Sequence, residues 1–166
     1  MAELARLPDA TLVTVRCSQT VLEAIAIPGG LTFPLTPNRF SNCGSHTVLW
    51  TGPDDWLVIA GDEPTTLLAS LEHAFAGHQA AIVETSGNRV RYSLSGDGAR
   101  EMMARACSLD LDPGHFEVGD CAGTLVARAQ AYIMQRMAAP VYEIVVRRSF
   151  SNYLQDWFRA AGCSII

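Results

Sequence analysis

The sequence predicts an α+β fold in which antiparallel sheets carry helices on one face. Residues 12–17 alternate in the manner of a half-buried strand, with Val13 and Val15 on one side and polar residues on the other. Residues 150–161 instead carry an apolar stripe at helical spacing. Most strand-like segments follow one another through short turns, and this order favours antiparallel sheets over βαβ units.

The first half of the chain predicts these elements in order: a strand at 12–17, a second strand at 20–26 that pairs with it, a long surface loop at 28–44, a hairpin of strands 45–51 and 56–60, and a helix from Pro64 to Gly77. The loop is dense in Gly, Pro and Asn, which interrupt regular structure. Pro53 presets the dihedral angle of the hairpin turn. Leu67, Leu71 and Phe75 give the helix one apolar face.

The second half predicts a strand at 80–84, a turn at Gly87 and a strand at 89–94. In the latter Val90, Tyr92 and Leu94 alternate with Arg89, Arg91 and Ser93, which indicates one polar face. There follow a predicted helix at 99–106 capped by Asp97, a loop at 110–114, strands at 124–129, 132–136 and 141–147, and a final helix that Ser149 caps and Gly162 ends. A division between residues 1–79 and 80–166 gives two small lobes. The short link between the lobes predicts that they pack tightly, and a single domain is the alternative.

Composition excludes several classes of function. The chain is 49% hydrophobic and 17% charged, and a surface this poor in charge suggests cover by another protein. Its net charge is −5 and its 12 basic residues, all arginine, are scattered, so nucleic acid is not an expected ligand. The absence of lysine excludes Schiff-base and phosphate-loop lysine chemistry.

Cysteine usage and hydropathy give an expectation for location. The five cysteines are widely spaced and include no Cys-x-x-Cys pair, which favours free thiols in a reducing compartment. The first ten residues lack the apolar run of a secretory signal. No apolar stretch approaches the roughly 20 residues that span a bilayer. We therefore expect a cytoplasmic protein that does not contact membranes.

No metal, nucleotide or catalytic motif stands out. The four histidines do not have metal-ligand spacing with one another or with a cysteine. Gly96 and Gly98 lack the third glycine of a dinucleotide fingerprint. Asp110 and Asp112 are typical of turn residues rather than of an acid–base pair. We expect no catalytic residue, cofactor site or metal site in this chain.

Arg147 and Arg148 are candidate partner-binding residues. They stand at the end of a strand, directly before a helix N-terminus whose free amides attract anions. Strand alternation sends their side chains to opposite faces. We expect one of them to bind an anion or a partner's carboxylate, while the other is solvated or pairs with an internal aspartate.

Phe33 and Trp56 are a second candidate partner surface. Phe33 lies in the segment 31–35, Leu-Thr-Phe-Pro-Leu, which is apolar and sits in the long loop. Long loops in compact domains are usually functional or disordered. We expect this loop and the Trp56 hairpin to contact a partner; the alternative is that Phe33 belongs to the core.

Several short blocks occur in one order along the chain: Gly-Pro-Asp-Asp-Trp-Leu at 52–57, Ser-Gly-Asn-Arg at 86–89, Ala-Cys-Ser-Leu-Asp-Leu at 106–111 and Arg-Arg-Ser-Phe-x-x-Tyr-Leu at 147–154. This succession resembles the gamma-subunit family of heterotetrameric sarcosine oxidase. The resemblance implies a shortened relative of the aminomethyltransferase (T-protein) folate-binding fold.

The resemblance also implies a role. Complete aminomethyltransferases carry an acidic pair after the segment that matches 124–136, whereas Gln135 and Arg136 stand there in this chain. An amide and a cation cannot accept a proton from a pterin. The resemblance therefore implies an accessory, non-catalytic subunit that assembles with alpha, beta and delta subunits, and these other subunits hold FAD, FMN, NAD and tetrahydrofolate.

Two alternatives stay open at this point. One is a stand-alone protein that binds folate or transfers a one-carbon unit. The other is the same subunit role in a complex that oxidises a different N-methyl amino acid. This chain cannot distinguish the substrates, because the resemblance implies that the substrate pocket lies in another subunit.

Overall fold

The computed structural model describes residues 1–60 and 64–166. Its strands are β1 (Glu3–Arg6), β2 (Thr11–Cys17), β3 (Phe40–Cys43), β4 (His46–Gly52), β5 (Asp55–Ala60), β6 (Ala80–Glu84), β7 (Arg89–Ser95), β8 (Cys121–Val126), β9 (Ala129–Met137), β10 (Val141–Arg147) and β11 (Ser164–Ile165). Its α-helices are α1 (Gln19–Ala24), α2 (Pro64–Ala74), α3 (Ala99–Ala106) and α4 (Ser151–Ala160). Short 3₁₀ turns occupy Pro28–Gly30, Ser86–Asn88 and Arg148–Phe150.

The chain divides into two units, and Met1–Asp9 with Gly87–Ile166 form the C-terminal unit. Its sheet has the strand order β11-β1-β7-β10-β9-β8, in which all pairs are antiparallel except β1 with β11. One face of this sheet packs on α3 and α4 through apolar side chains of both helices, including Met103, Leu154 and Phe158. A polar contact also fixes α4, since the Tyr92 hydroxyl lies 2.6 Å from Ser151 Oγ and accepts a 2.7 Å hydrogen bond from Gln155.

The N-terminal unit comprises Ala10–Ser86 and contains a sheet of order β3-β4-β5-β2-β6. Val13 and Val15 of β2 and Val58 of β5 join α1 and α2 in its apolar core, on one face of the sheet. The predicted α+β class, with helices laid on one face of largely antiparallel sheets, is thus confirmed in both units.

Residues 20–26 were expected to form a strand, and the structure corrects this to a helix. α1 covers Gln19–Ala24 and starts with amide hydrogen bonds from Val21 and Leu22 to the carbonyl of Ser18. Both sides of β2 are already paired, with β5 and β6. A strand at 20–26 therefore has no place beside β2.

Loop and strand limits also differ from expectation. The loop expected at 28–44 contains β3, which pairs with β4. The hairpin strands expected at 124–129 and 132–136 are instead β8 and β9, with the turn between Val126 and Ala129. The turn expected at Gly87 joins β6 and β7, but these strands lie in different sheets and do not form a hairpin.

The two expected helix caps do not form. Gly98 precedes α3 and Phe150 precedes α4, and neither helix has a side-chain cap hydrogen bond. Ser149 lies inside the 3₁₀ turn Arg148–Phe150, and Phe150 holds the N-cap position, so the helix begins one residue later than a Ser149 cap requires. An amphipathic stripe alone does not fix where the first turn closes.

The two units differ from the expected lobes 1–79 and 80–166. β6 belongs to the N-terminal unit because it pairs with β2. β1 belongs to the C-terminal unit because it pairs with β7 and β11. These pairings join strands that are far apart in the chain, and local sequence patterns do not report them.

Candidate functional site

The candidate site lies on the face of the six-stranded sheet opposite α3 and α4. Alternation along β7, β9 and β10 places apolar residues such as Tyr92 and Ile144 against the helices. The intervening positions point to the other face and include the buried apolar residues Met134 and Val145. Most of the others are polar, among them Arg89, Arg91, Gln130, Tyr132, Arg136, Glu143 and Arg147. Across β7, β9 and β10 this face carries four arginines and one glutamate, so these three strands give it a net positive charge.

Three of these side chains form a buried ion cluster across the three central strands. Arg91 Nη1 donates to Glu143 Oε1 at 3.0 Å, and Arg136 Nη2 donates to Glu143 Oε2 at 2.6 Å. The Glu143 side chain is only 6% exposed. A buried carboxylate needs such partners because its desolvation is otherwise unfavourable by several kcal/mol. Arg136 therefore neutralises a buried carboxylate of the neighbouring strand.

Arg147 sits beside a small concave site at the end of the same face. The cavity has a volume of about 210 Å³ and is lined by Arg89, Gln130, Ala131, Tyr132 and Arg147. The Arg89 guanidinium lies 5.4 Å from the centre of the Tyr132 ring, within cation–π range. Arg147 is exposed and has no ion pair with any described residue. This arginine is available to an external anion.

Arg148 has a different environment. Its Nε donates to the carbonyl of Gly87 at 2.9 Å, and its Nη2 donates to the carbonyl of Arg89 at 3.3 Å. Asp9 lies 3.8 Å from the same guanidinium. Arg148 thus holds the start of β7 within its own unit and lies near an internal aspartate.

Phe33 and Trp56 are placed in the core of the N-terminal unit, where they are 6% and 2% exposed. Their rings meet edge to face at 5.6 Å, and Trp56 Nε1 donates to the carbonyl of Pro34 at 2.8 Å. We expected this unit to leave the apolar loop segment uncovered, but Leu31 and Phe33 of that segment are buried in its core. The geometry favours the alternative, in which Phe33 is a core residue.

The residues expected at a folate site do not fit a folate. The Gln135 side chain is buried, its Oε1 has no hydrogen-bond partner among the described residues, and its Nε2 donates weakly to Met137. Arg136 is engaged by Glu143 at 2.8 Å through Nε. Both oxygens of Glu143 accept arginine hydrogen bonds. No carboxylate at this position is free to hold a pterin or to take up its proton.

We expect the isolated chain to bind tetrahydrofolate weakly or not at all, because Gln135 and Arg136 stand where the resemblance implies an acidic pair that would bind the pterin. Calorimetric titration with ligand at millimolar concentration measures this. A dissociation constant in the micromolar range contradicts the expectation, and an aminomethyltransferase titrated in parallel verifies the ligand.

Other titratable side chains serve local structure. The carboxylate of Asp110 accepts the Asp112 amide at 3.0 Å and lies 2.5 Å from His115 Nδ1; these contacts, the backbone one first, lower the pKa of Asp110. Burial, with a smaller contribution from the charge of Asp54, raises the pKa of Cys17 to about 11. All five cysteines are free. The Cys17 thiol therefore stays protonated, and unreactive as a nucleophile, at neutral pH.

Within the described residues, neither a metal-binding cluster nor a membrane-spanning helix is found. Histidine, cysteine and carboxylate side chains form no cluster of three that could hold a metal ion within residues 1–60 and 64–166. In the same part of the chain, no helix has both the length and the apolar character that crossing a bilayer requires.

Sequence reasoning identified Arg147 but missed its neighbours. Arg89, Tyr132 and Gln130 meet Arg147 only because β7, β10 and β9 lie side by side. Alternation along β7 did place Arg89 and Arg91 on one polar face. The strand order that brings this face beside Glu143 and Arg147 has no local signal.

Curated proteins similar to this chain share one description. The sarcosine oxidase subunit gamma of Corynebacterium sp. (strain U-96) is 29% identical over 135 residues, which are 81% of this chain and 65% of that protein. The sarcosine oxidase subunit gamma of an Arthrobacter species is 30% identical over 135 residues, 81% of this chain and 66% of that protein. The chain thus spans slightly less than two thirds of the length of these relatives.

Solved structures show the same fold. A chain of heterotetrameric sarcosine oxidase from Corynebacterium sp. U-96 superposes with a TM-score of 0.86 at 24% identity, over 95% of this chain and 81% of that chain. The glycine cleavage aminomethyltransferase T of Bartonella henselae superposes with a TM-score of 0.71 at 14% identity, over 99% of this chain and 47% of that chain. The expected aminomethyltransferase-like fold is confirmed.

The model of the sarcosine oxidase gamma subunit family matches residues 13–164, which is nearly the whole chain. This match runs through both units and includes the ion cluster and the Arg147 cavity. The chain belongs to the sarcosine oxidase gamma subunit family.

Proposed function

We propose that this chain is an accessory gamma subunit of a cytoplasmic, heterotetrameric complex that oxidatively demethylates sarcosine. The observation that carries the proposal is the match to the gamma subunit family over residues 13–164. The partners are alpha, beta and delta subunits. In this proposal those subunits hold FAD, FMN, NAD and tetrahydrofolate, and this chain contributes packing and assembly.

The chemistry of the described side chains supports a non-catalytic role. The carboxylate at the centre of the polar face, Glu143, is buried and bound by two arginines. The sequence contains no lysine for a primary-amine mechanism. Free cysteines, with Cys17, Cys107, Cys121 and Cys163 buried, agree with a reducing compartment such as the cytoplasm.

Arg147 is the residue we assign to partner contact, because it is exposed and has no ion pair with the described residues. Arginine is enriched at protein interfaces. We expect Arg148 to contribute less to partner contact, because its guanidinium already donates hydrogen bonds to carbonyl groups of its own unit. Phe33 and Trp56 are buried and reach a partner only if the core around them opens, so we expect them to contribute least to partner contact.

We expect the purified chain to carry no flavin and to release no peroxide from sarcosine. Co-expression with the three other subunits should yield a complex that carries flavin and releases peroxide. Omitting this chain from the co-expression is the matched control. Gel filtration, the visible flavin spectrum and peroxide release measure assembly, cofactor content and activity. Stoichiometric flavin or activity in the isolated chain contradicts the proposal, as does a fully assembled and active complex that lacks it.

The substrate is tested on the assembled complex. Sarcosine and another N-methyl amino acid, N-methylglutamate, are compared by their kcat/KM. A preference for sarcosine supports the proposed reaction. A strong preference for N-methylglutamate assigns the same subunit role to a related complex and rejects sarcosine as the substrate.

A further inference from the structure

Two arginines lie directly opposite each other at the end of the polar face. The antiparallel register of β7 and β10 pairs Arg89 with Arg147. Like charges directly opposite each other in a sheet are destabilising. Neither guanidinium has a carboxylate partner among the described residues. The positive charges of Arg89 and Arg147 are therefore not neutralised by a carboxylate in the described part of the chain.

The surroundings concentrate this positive charge. Arg89 is partly buried, and its Nε is shielded from solvent without a hydrogen-bond partner in the described part of the chain. Arg148 brings a third guanidinium to the Arg89 backbone, and its counter-charge, Asp9, is shared with Arg6. A buried polar donor without a hydrogen-bond partner destabilises the folded state. An anion bound between the two guanidinium groups relieves their mutual repulsion.

We propose that Arg89, Arg147, Tyr132 and Gln130 form a binding site for a single oxyanion group, a carboxylate or a phosphate. Guanidinium groups bind both oxyanions through paired N–H donors. The Tyr132 hydroxyl and the Gln130 amide supply further donors at the same cavity. At about 210 Å³ the cavity is smaller than typical sites for whole cofactors, so it takes a small anion or the end of a larger acidic group.

The first experiment uses the isolated chain and inorganic phosphate, so it does not depend on the proposed assembly. Thermal unfolding is followed at constant ionic strength as phosphate replaces chloride, and calorimetry gives the dissociation constant. The wild type is expected to be stabilised by phosphate in a saturable manner, because a ligand that binds only the folded state raises its stability. Arg147→Gln is expected to weaken phosphate binding about tenfold or more, since it removes a charged hydrogen bond.

Two comparisons separate binding from a merely structural role. In phosphate-free buffer Arg147→Gln should melt no lower than the wild type, because it removes a like-charge contact. Arg159→Gln makes the same charge change in the same unit, at an exposed residue paired with Asp156, and should retain phosphate binding. Arg89→Gln should lose phosphate binding while keeping its circular dichroism spectrum. The site is rejected if Arg147→Gln and Arg159→Gln bind phosphate equally, or if the wild type shows no saturable binding.

The second experiment identifies the source of the oxyanion and rests on the proposed assembly. Pull-down with the other subunits is compared for the wild type and Arg147→Gln, with and without phosphate. If a partner's carboxylate fills the site, Arg147→Gln weakens assembly about tenfold and phosphate competes with assembly. If a free anion fills it, assembly is unchanged while phosphate binding is lost. Failure of the chain to assemble at all rejects the proposed function and leaves the phosphate result standing.

Discussion

Replacing Glu143 with glutamine should destabilise the C-terminal unit by about 3–5 kcal/mol, as breaking a buried ion pair does. The substitution keeps the size of the side chain but removes the charge that holds Arg91 and Arg136 at 3.0 and 2.6 Å. Both guanidiniums are then left largely buried, and they repel each other. Urea denaturation followed by circular dichroism measures the change in the free energy of unfolding.

Two controls distinguish this mechanism from a general sensitivity to lost carboxylates. Asp156→Asn breaks an exposed pair with Arg159 and is expected to change stability by less than about 1 kcal/mol. Replacing Glu143, Arg91 and Arg136 together with methionine removes all three charges and should recover much of the loss. Equal effects of Glu143→Gln and Asp156→Asn contradict the assigned role of the cluster.

Local periodicity predicted most elements because their apolar faces are contiguous in the chain. β7 shows this directly, since Val90, Tyr92 and Leu94 face the core as their alternation predicted. The strand predicted at 20–26 was wrong because, in so short a run, the apolar residues are compatible with either a strand or a helix. Because β2 pairs with β5 and β6 on its two sides, no strand at 20–26 can pair with it, and this pairing has no local sequence signal.

The candidate site was less predictable than the fold. Glu143, Arg91 and Arg136 converge only through the order β7-β10-β9, with Glu143 on the middle strand. The family resemblance drew attention to Arg136 as the replacement of an acidic residue. What the cation does there, binding a buried glutamate on the neighbouring strand, emerges only from the register.

Phe33→Ala should destabilise the N-terminal unit by about 3–5 kcal/mol, as truncation of a buried aromatic side chain does. Phe33 packs edge to face on Trp56 at 5.6 Å, and the loop is further tied to Trp56 by the hydrogen bond to Pro34. Removing the ring leaves a cavity against Trp56, because Phe33 is buried in this core and contacts Trp56 edge to face. The melting temperature of the isolated chain is expected to fall by several degrees.

Leu35→Ala is the matched control, because Leu35 lies in the same loop but is 50% exposed. It should change stability by no more than about 0.5 kcal/mol, as surface substitutions usually do. Co-purification with the partner subunits, measured on the same two variants below their melting temperatures, separates core from interface. A large thermal loss for Phe33→Ala with intact assembly removes Phe33 from the partner surface. An unchanged melting temperature with assembly weakened by about 1–3 kcal/mol, the loss typical of a buried interface anchor, would instead place Phe33 at the interface and overturn the core assignment.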